Sequence, residues 1–247
     1  MTKPAAATDL FPAREPEAEL VEAGKRLFAQ ECRFVAGVAS SAAMPAETLP
    51  EIAFAGRSNV GKSSLVNALT GRRMLARISN TPGRTRQLNF FELGGRLLLV
   101  DLPGYGYAEA SKALVRDWTA LAQRYLRARA TLQRVCLLVD ARHGIKDLDR
   151  GLMRLCDAAG LSYQLVLTKT DKVTAPTLGP ILDAVAAELA RHPAAHPELH
   201  LTSAIEGRGI AALRASVAAL ALPAASAGPR AAASGVVGSM TMEAAPR

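Results

Sequence analysis

Two apolar patterns alternate along this chain of 247 residues. Short runs of consecutive apolar residues predict strands buried on both faces, and they occupy 52–55, 97–100, 135–139 and 165–167. An apolar residue at every third or fourth position instead predicts a helix with one face on a sheet. This second pattern occurs at Leu114, Trp118, Leu121 and Tyr125, at Leu148, Leu152 and Leu155, at Ile181, Val185 and Leu189, and at Ile210, Leu213, Val217 and Leu220.

A Gly94-Gly95 pair marks the one expected departure from parallel pairing. It lies between strand patterns at 88–93 and 96–100, which is typical of a tight hairpin, so one antiparallel strand is expected beside the parallel set. A short helix near 18–30 and a first strand near 33–37 should precede them. The alternation predicts an α/β fold with a doubly wound, mostly parallel, three-layer sheet and a ligand crevice at its carboxyl edge.

The composition of the two ends differs from that of the middle. Residues 1–30 begin as an Ala/Pro/Glu tail and are expected to be partly disordered, whereas 31–222 should form one domain. Residues 223–247 are rich in Ala, Gly, Ser and Pro without any period, which predicts a disordered, low-complexity tail.

A glycine-rich segment follows the first buried run directly. Residues 56–64 read Gly-Arg-Ser-Asn-Val-Gly-Lys-Ser-Ser, the pattern of a phosphate-binding P-loop between a strand and a helix. Gly56 and Gly61 are expected to take backbone angles closed to other residues, so that N–H groups can surround phosphate oxygens. Lys62 would add positive charge at the β- and γ-phosphates, and Ser63 would offer a hydroxyl to Mg²⁺. Because the pattern fixes so few positions, an ordinary glycine-rich turn is the alternative.

The second candidate element is the segment from Asp101 to Gly104, which ends the apolar run 97–100. Asp101 would hold Mg²⁺ through a water molecule at the end of its strand. The N–H of Gly104 could meet a γ-phosphate, and a loop attached by that contact would be released once the phosphate leaves. An Asp-x-x-Gly segment can also be a simple turn, but its position after the P-loop favours the nucleotide interpretation.

The third element, Thr168-Lys-Thr-Asp171, follows the run 165–167. Guanine presents two N–H donors on one edge, and one ionised carboxylate can accept both, so Asp171 is predicted to select guanine. The stem of Lys169 could lie over the purine, and Thr168 could brace the loop. Backbone N–H groups in the turn at 202–204 could bond guanine O6.

These segments together resemble the translation-factor class of P-loop GTPases and, more closely, the EngB-type (YihA-type) ribosome-assembly GTP-binding proteins. The resemblance extends over residues 30–221 and depends on 56–67, 81–91, 101–108, 140–149 and 168–171. It implies a slowly GTP-hydrolysing switch that binds Mg²⁺ and GTP or GDP and assists assembly of the large ribosomal subunit, with a link to cell division. The alternatives are a nucleotide-gated RNA or protein tether with negligible hydrolysis, and a P-loop small-molecule kinase.

The resemblance also implies roles for residues in the segment 81–91 and in the loops around Asn59 and Tyr105. Thr85 would give the second hydroxyl to Mg²⁺, with Thr81 as the competing residue. Asn59 occupies the position that coordinates K⁺ in related GTPases, although it could instead bond its own loop. Tyr105 stands where many GTPases have a water-orienting glutamine, and a phenol is a poor base near neutral pH, so slow intrinsic turnover is expected.

The predicted site residues fall into three groups. The catalytic residues are Lys62, Thr85 and Gly104, and the metal ligands are Ser63, Thr85 and Asp101. The nucleotide-contacting residues are Gly56, Arg57, Ser58, Asn59, Val60, Gly61, Lys62, Ser63, Ser64, Gly83, Arg84, Thr85, Arg86, Gln87, Asp101, Leu102, Pro103, Gly104, Thr168, Lys169, Thr170, Asp171, Thr202, Ser203 and Ala204.

Composition adds an expected partner and a compartment. The net charge of +8 favours contact with a polyanion such as ribosomal RNA, although solubility alone could explain it. The arginines expected at that contact are Arg72, Arg73, Arg77, Arg84, Arg86, Arg116, Arg124, Arg127 and Arg129.

Neither a membrane span nor a secretory signal is visible, so a cytoplasmic protein is expected. It is also expected to be a monomer. The three cysteines show no zinc or disulfide spacing, and the four histidines are expected to be solvated or to cap helices.

Overall fold

The computed structural model describes residues 16–72, 87–105 and 112–221, and for 112–119 the description is confined to the backbone. In chain order the elements are α1 (Ala18–Phe28), β1 (Cys32–Val38), β2 (Glu51–Gly56), α2 (Lys62–Thr70), β3 (Leu88–Leu93), β4 (Leu97–Asp101), α3 (Lys112–Ala128), β5 (Leu132–Asp140), α4 (Asp147–Ala158), β6 (Tyr163–Thr168), α5 (Ala175–Leu189), β7 (His200–Leu201) and α6 (Ile210–Ala221). Short 3₁₀ turns lie at Ser41–Ala43 and Thr170–Lys172. Within these ranges, no helix has both the length and the apolarity that crossing a membrane requires.

The strands form one sheet in the order β1-β3-β4-β2-β5-β6-β7. β3 pairs antiparallel with both β1 and β4, and the pairs from β4 through β2, β5 and β6 to β7 are parallel. Among the described strands, β3 is therefore the one that runs against the others, which confirms the prediction. Gly94 and Gly95 join β3 to β4 with φ of 59° and 66°, the left-handed angles that a tight hairpin turn requires.

Helices cover both faces of this sheet. One apolar cluster joins the sheet to α3, α4 and α5, and the other joins it to α1, α2 and α6. The predicted three-layer α/β fold is thereby confirmed. Since the parallel strands all end at one edge, the loops after β2, β4, β5 and β6 meet there.

The first helix packs closely on the last. A Cβ added to Gly24 of α1 would lie 2.7 Å from the carbonyl carbon of Arg214 in α6, so only glycine permits this approach. Leu27 and Phe28 of α1 are buried in the same cluster as α6. Residues 18–28 are thus packed onto the domain. The predictions for 1–15 and for 223–247 lie outside the described residues.

Several side chains lie on different faces from those predicted. Leu148 is 52% exposed, and the neighbouring Asp149 is buried in its place, because its carboxylate accepts hydrogen bonds that hold it inward. The prediction of solvated or helix-capping histidines is wrong for His200, which is buried, and for His192, whose side chain is 8% exposed and contacts a carboxylate. His192 lies 2.5 Å from a carboxylate oxygen of Asp157, which compensates its burial.

Arg129 and Glu51 form a buried ion pair at the C-terminal end of α3. Arg129 follows the helix, and its Nε donates a hydrogen bond of 2.8 Å to Glu51, which is 0% exposed. The hydroxyl of Tyr125 donates to the same carboxylate at 2.8 Å. Arg129 also lies over the ring of Phe90. The prediction that Arg129 contacts RNA is therefore wrong, because its charge is used inside the fold.

Candidate functional site

The loop between β2 and α2 uses left-handed backbone at two residues. Gly61, which precedes α2, has φ of 103°, and Asn59 has φ of 65°. Gly56 does not have positive φ, so the prediction of an unusual angle there is wrong. It needs to be glycine for a different reason: an added Cβ would lie 2.9 Å from the carbonyl oxygen of Leu138, on the neighbouring β5. The loop therefore starts from a tight contact between two buried strands.

Lys62 and Asp101 meet beside this loop. Their ammonium and carboxylate form an ion pair, with the side chains 11% and 3% exposed. The pair forms because β2 and β4 are neighbours and Asp101 is in register with Phe54. Ser63 follows in the first turn of α2, where the helix favours anions. A hydroxyl and a carboxylate are oxygen donors of the kind that Mg²⁺ accepts alongside phosphate and water, so the chain's residues fit that ion.

The loop after β4 is hydrogen-bonded to the loop after β2. The N–H of Ser58 donates to the carbonyl of Tyr105 at 2.8 Å, and the N–H of Tyr105 donates to the carbonyl of Gly56 at 3.2 Å. A Cβ on Gly104 would lie 3.0 Å from Cα of Ser58, so glycine permits this approach. A conformational change in one of these loops should therefore displace the other.

The side chain of Tyr105 points to α4. Its hydroxyl donates a hydrogen bond of 2.6 Å to Asp149. Burial raises the pKa of Tyr105 well above its usual range, and the charge of Asp149 raises it further. A neutral phenol that is already bound to a carboxylate is poorly suited to activate water.

The segment 168–171 is braced from two sides. The hydroxyl of Thr168 donates to the carbonyl of Val60 at 2.7 Å, which ties the segment to the loop after β2. On the other side, the N–H of Thr170 donates to the carbonyl of Thr202 at 3.2 Å. The structure thereby brings the predicted base-recognition loops and the phosphate loop together.

Asp171 lies next to the turn at 202–204. A hydrogen bond with Ser203 is the main cause that lowers the pKa of Asp171, so the carboxylate stays ionised near neutral pH. The turn itself depends on Gly209, which has φ of 71° and whose added Cβ would collide with the carbonyl oxygen of Leu201. An ionised carboxylate is the form that accepts both donors of guanine.

Asp140 is a site residue that the sequence analysis missed. It ends β5, and its Oδ2 accepts a hydrogen bond of 2.9 Å from Nζ of Lys169, which also donates to the carbonyl of Asn59 at 2.6 Å. The segment 140–149 contributed to the family resemblance, but no role was given to this carboxylate. Its position directly after the apolar run 135–139 was the available signal, since that run predicts another strand ending at the ligand edge.

The predicted residues after α2 are not all brought to this edge. Gly83, Arg84, Thr85 and Arg86 lie outside the described residues, so their roles stay predictions. Gln87 is described, and its Oε1 lies where a Cβ of Gly37 would be, on the edge strand β1. The structure does not bring the Gln87 side chain to the phosphate loop.

Solved structures with the same fold define the class of protein. The chain superposes on the crystal structure of a GTP-binding protein engB with a TM-score of 0.54 at 22% identity, covering 69% of this chain and 98% of that one. It superposes on Era in complex with MgGDPNP and 16S ribosomal RNA nucleotides with a TM-score of 0.53 at 20% identity, covering 70% of this chain and 56% of that one. At such identities the likeness shows the fold alone. The fold, with the loops gathered at its carboxyl edge, is that of a P-loop GTPase.

Sequence similarity narrows the class to a family. The family described as 50S ribosome-binding GTPase matches residues 51–169. The GTP-binding protein EngB of Rhodospirillum rubrum is 57% identical over 218 residues, which are 86% of this chain and 94% of that protein. The chain belongs to the EngB family of GTP-binding proteins, as the resemblance predicted. It is therefore a guanine-nucleotide-binding protein with a GTPase domain.

Proposed function

We propose that this chain is a slowly hydrolysing GTP switch that assists assembly of the large ribosomal subunit. The observation that carries the proposal is the pair of hydrogen bonds between Ser58 and Gly56 of the phosphate loop and Tyr105 after β4. Through these hydrogen bonds, a γ-phosphate bound at the phosphate loop would change the conformation of the loop after β4. The matched family is described as 50S ribosome-binding, which supports the large subunit as the target.

At the phosphate end, Lys62 and the backbone N–H groups of 57–63 would bind the β- and γ-phosphates. Ser63, Thr85 and Asp101 would hold Mg²⁺. When bound, the ion would neutralise charge on the oxygens between the β- and γ-phosphates. In the structure Asp101 pairs with Lys62, so the cation and the carboxylate needed there already lie together.

At the base end, Asp171 would accept the N1–H and N2 amino hydrogens of guanine. Its ionised state is supported by the hydrogen bond with Ser203. Thr202, Ser203 and Ala204 would present backbone N–H groups to O6. The stem of Lys169 would lie along one face of the purine. In the structure its Cε lies beside the phosphate loop, 3.5 Å from the position of a Cβ on Gly61.

Slow intrinsic hydrolysis follows from the position of Tyr105. Its hydroxyl is committed to Asp149, so a partner or a cation would have to help place the attacking water. Potassium at Asn59 is one such cation, and the left-handed backbone of Asn59 supports a special role for this residue. GTP hydrolysis measured in potassium and in sodium would test it, and equal rates would discard the potassium site.

The proposed partner is ribosomal RNA within a large-subunit precursor, which would place the protein in the cytoplasm as a monomer. Exposed arginines at Arg72, Arg124 and Arg127 support contact with RNA, together with the net charge of +8. Arg129 is excluded from that surface by its burial. Era, which has the same fold, has been solved in complex with ribosomal RNA nucleotides. The proposal also includes a link to cell division, which comes from the family resemblance.

A second candidate is a nucleotide-gated tether for RNA or protein with negligible hydrolysis, which the Tyr105–Asp149 hydrogen bond favours. Single-turnover hydrolysis of GTP, with and without large-subunit precursor particles, separates the two. We expect the particles to accelerate hydrolysis, and no acceleration would support the tether. As a control, Asp171→Asn should respond to particles only with xanthosine triphosphate, which assigns the signal to this site.

A further inference from the structure

We propose that Asp140 is a positioning residue of the nucleotide site, which holds the ammonium of Lys169 against the main chain of the phosphate loop. The inference rests on the proposed site for the base, and it adds a residue to which the nucleotide-binding motifs assign no role. Asp140 ends β5, the strand between β2, which leads into the phosphate loop, and β6, which leads into 168–171. It can therefore act on both loops.

The carboxylate of Asp140 is held on both oxygens. Oδ2 accepts hydrogen bonds from Nζ of Lys169 at 2.9 Å and from Nη2 of Arg142 at 2.8 Å. Oδ1 accepts two more from Arg142, one from its backbone N–H and one from its Nε, both at 3.0 Å. With the side chain 11% exposed, the carboxylate has one fixed orientation. It can consequently fix the position of the ammonium that it binds.

The charge of this carboxylate is preserved by the same partners. Burial acts to raise the pKa of Asp140, but the hydrogen bonds from Arg142 and Lys169 outweigh it and hold the pKa well below 3.8. Asp140 is therefore ionised at any pH at which the protein would be assayed. Charge-assisted hydrogen bonds of this kind are stronger than neutral ones.

The Lys169 side chain needs a fixed hydrogen-bond partner because its backbone conformation is unusual. Its backbone has φ of 59°, and its ammonium reaches the carbonyl of Asn59, whose own φ is 65°. Its stem runs beside the phosphate loop, with Cε 3.5 Å from the position of a Cβ on Gly61. Without Asp140 the ammonium would keep one hydrogen-bond partner among the described residues, the carbonyl of Asn59. The stem would then have to be ordered again each time a nucleotide binds.

The test is a double-mutant cycle on the full chain, measured as GDP and GTP affinity by calorimetry. Asp140→Asn should weaken both nucleotides by similar factors, about tenfold or more, because one strong charge-assisted contact is lost. The hydrolysis rate at saturating GTP should fall by a smaller factor than the affinity does. In the Lys169→Met background, the same substitution should have less than about twofold effect, because the two residues act as one unit.

A matched control is available at Asp147→Asn. This carboxylate is 99% exposed and pairs with Arg150 away from the site, so the same chemical change there should leave affinity unaltered. The melting temperature separates positioning from support of the fold. GDP should raise the melting temperature of Asp140→Asn by less than it raises that of the wild type, while the nucleotide-free protein melts near the wild-type temperature.

Three outcomes would overturn the inference. Equal losses in both backgrounds would show that Asp140 acts independently of Lys169, and a lower melting temperature with an undiminished GDP shift would show a purely structural role. Wild-type protein that binds neither nucleotide would remove the underlying site as well, so the two failures are distinguishable. If Asp140→Asn is insoluble, Asp140→Glu takes its place in the cycle, with a smaller loss expected and again none in the Lys169→Met background.

Discussion

The hydroxyl of Tyr105 lies 2.6 Å from Oδ1 of Asp149, and Oδ2 of the same carboxylate accepts the backbone N–H of Lys146 at 2.9 Å. One buried side chain thus fixes the start of α4 and the loop that follows Asp101. Because the backbone of Tyr105 is also bonded to the phosphate loop, α4 is coupled to the proposed switch through two consecutive contacts.

Tyr105→Phe removes the hydroxyl and leaves Asp149 buried with one hydrogen bond fewer. We expect a loss of about 1–2 kcal/mol in the free energy of unfolding, measured by urea denaturation, because a buried carboxylate loses a donor. Tyr163→Phe is the matched control. The Tyr163 hydroxyl is buried with no hydrogen-bond partner among the described residues, so its removal should be neutral or stabilising. Equal losses for the two variants would contradict the importance of the Asp149 contact.

Arg129→Met leaves the carboxylate of Glu51 buried without its cation. A loss of about 3–5 kcal/mol in unfolding free energy is expected, since breaking one side of a buried ion pair leaves an uncompensated charge. The exposed Arg127 offers the comparison within the same segment, and Arg127→Met should change stability by less than about 0.5 kcal/mol. A small effect at Arg129 would mean that its role is at the surface, as the sequence pattern suggested.

Asp171→Asn tests the choice of base. The new amide would donate to a carbonyl where the carboxylate accepted from an amino group, so affinity should move from guanine toward xanthine nucleotides. We expect GTP binding to fall by about a hundredfold or more, because the paired donors of guanine lose their acceptor. Asp183→Asn, at an exposed position on α5, should bind GTP as the wild type does. Unchanged GTP affinity in Asp171→Asn would place guanine recognition elsewhere.

His200 should make the fold sensitive to mild acid. Burial lowers the pKa of His200 from 6.5 to about 4, with Arg134 contributing. Between these values the unfolded chain takes up a proton that the folded one does not, so stability is highest above pH 6.5 and falls as the pH approaches 4. The fall should amount to about 3 kcal/mol and level off below pH 4. Urea denaturation across this range should show a shallower fall for His200→Asn.

The exposed His143 gives the control for that measurement. His143→Asn makes the same chemical change at the surface, and its unfolding free energy should stay within about 0.5 kcal/mol of the wild-type value. A pH profile identical for wild type and His200→Asn would show that His200 is not protonated on unfolding in this range.

Local patterns in the sequence were enough for the fold class and for placing residues 57–61 between a strand and a helix. A strand run, two glycines, a lysine and a serine lie within a dozen residues of one another, so their physical relation is set by the chain itself. The same holds for the hairpin at Gly94 and Gly95 and for the alternation of strands and helices. Four strand ends could be assigned to one ligand-binding edge, because the loops that follow parallel strands all lie at the same edge of the sheet.

The tertiary structure decided everything that depends on which strands are neighbours. Asp140 meets Lys169, and Tyr105 meets Asp149, across 29 and 44 residues of chain, so no short pattern could show these contacts. Arg129 looked like a surface charge until the sheet placed it against Glu51, 78 residues away. Periodicity can assign a residue to an element, but a charge is satisfied only by the partner that packing supplies.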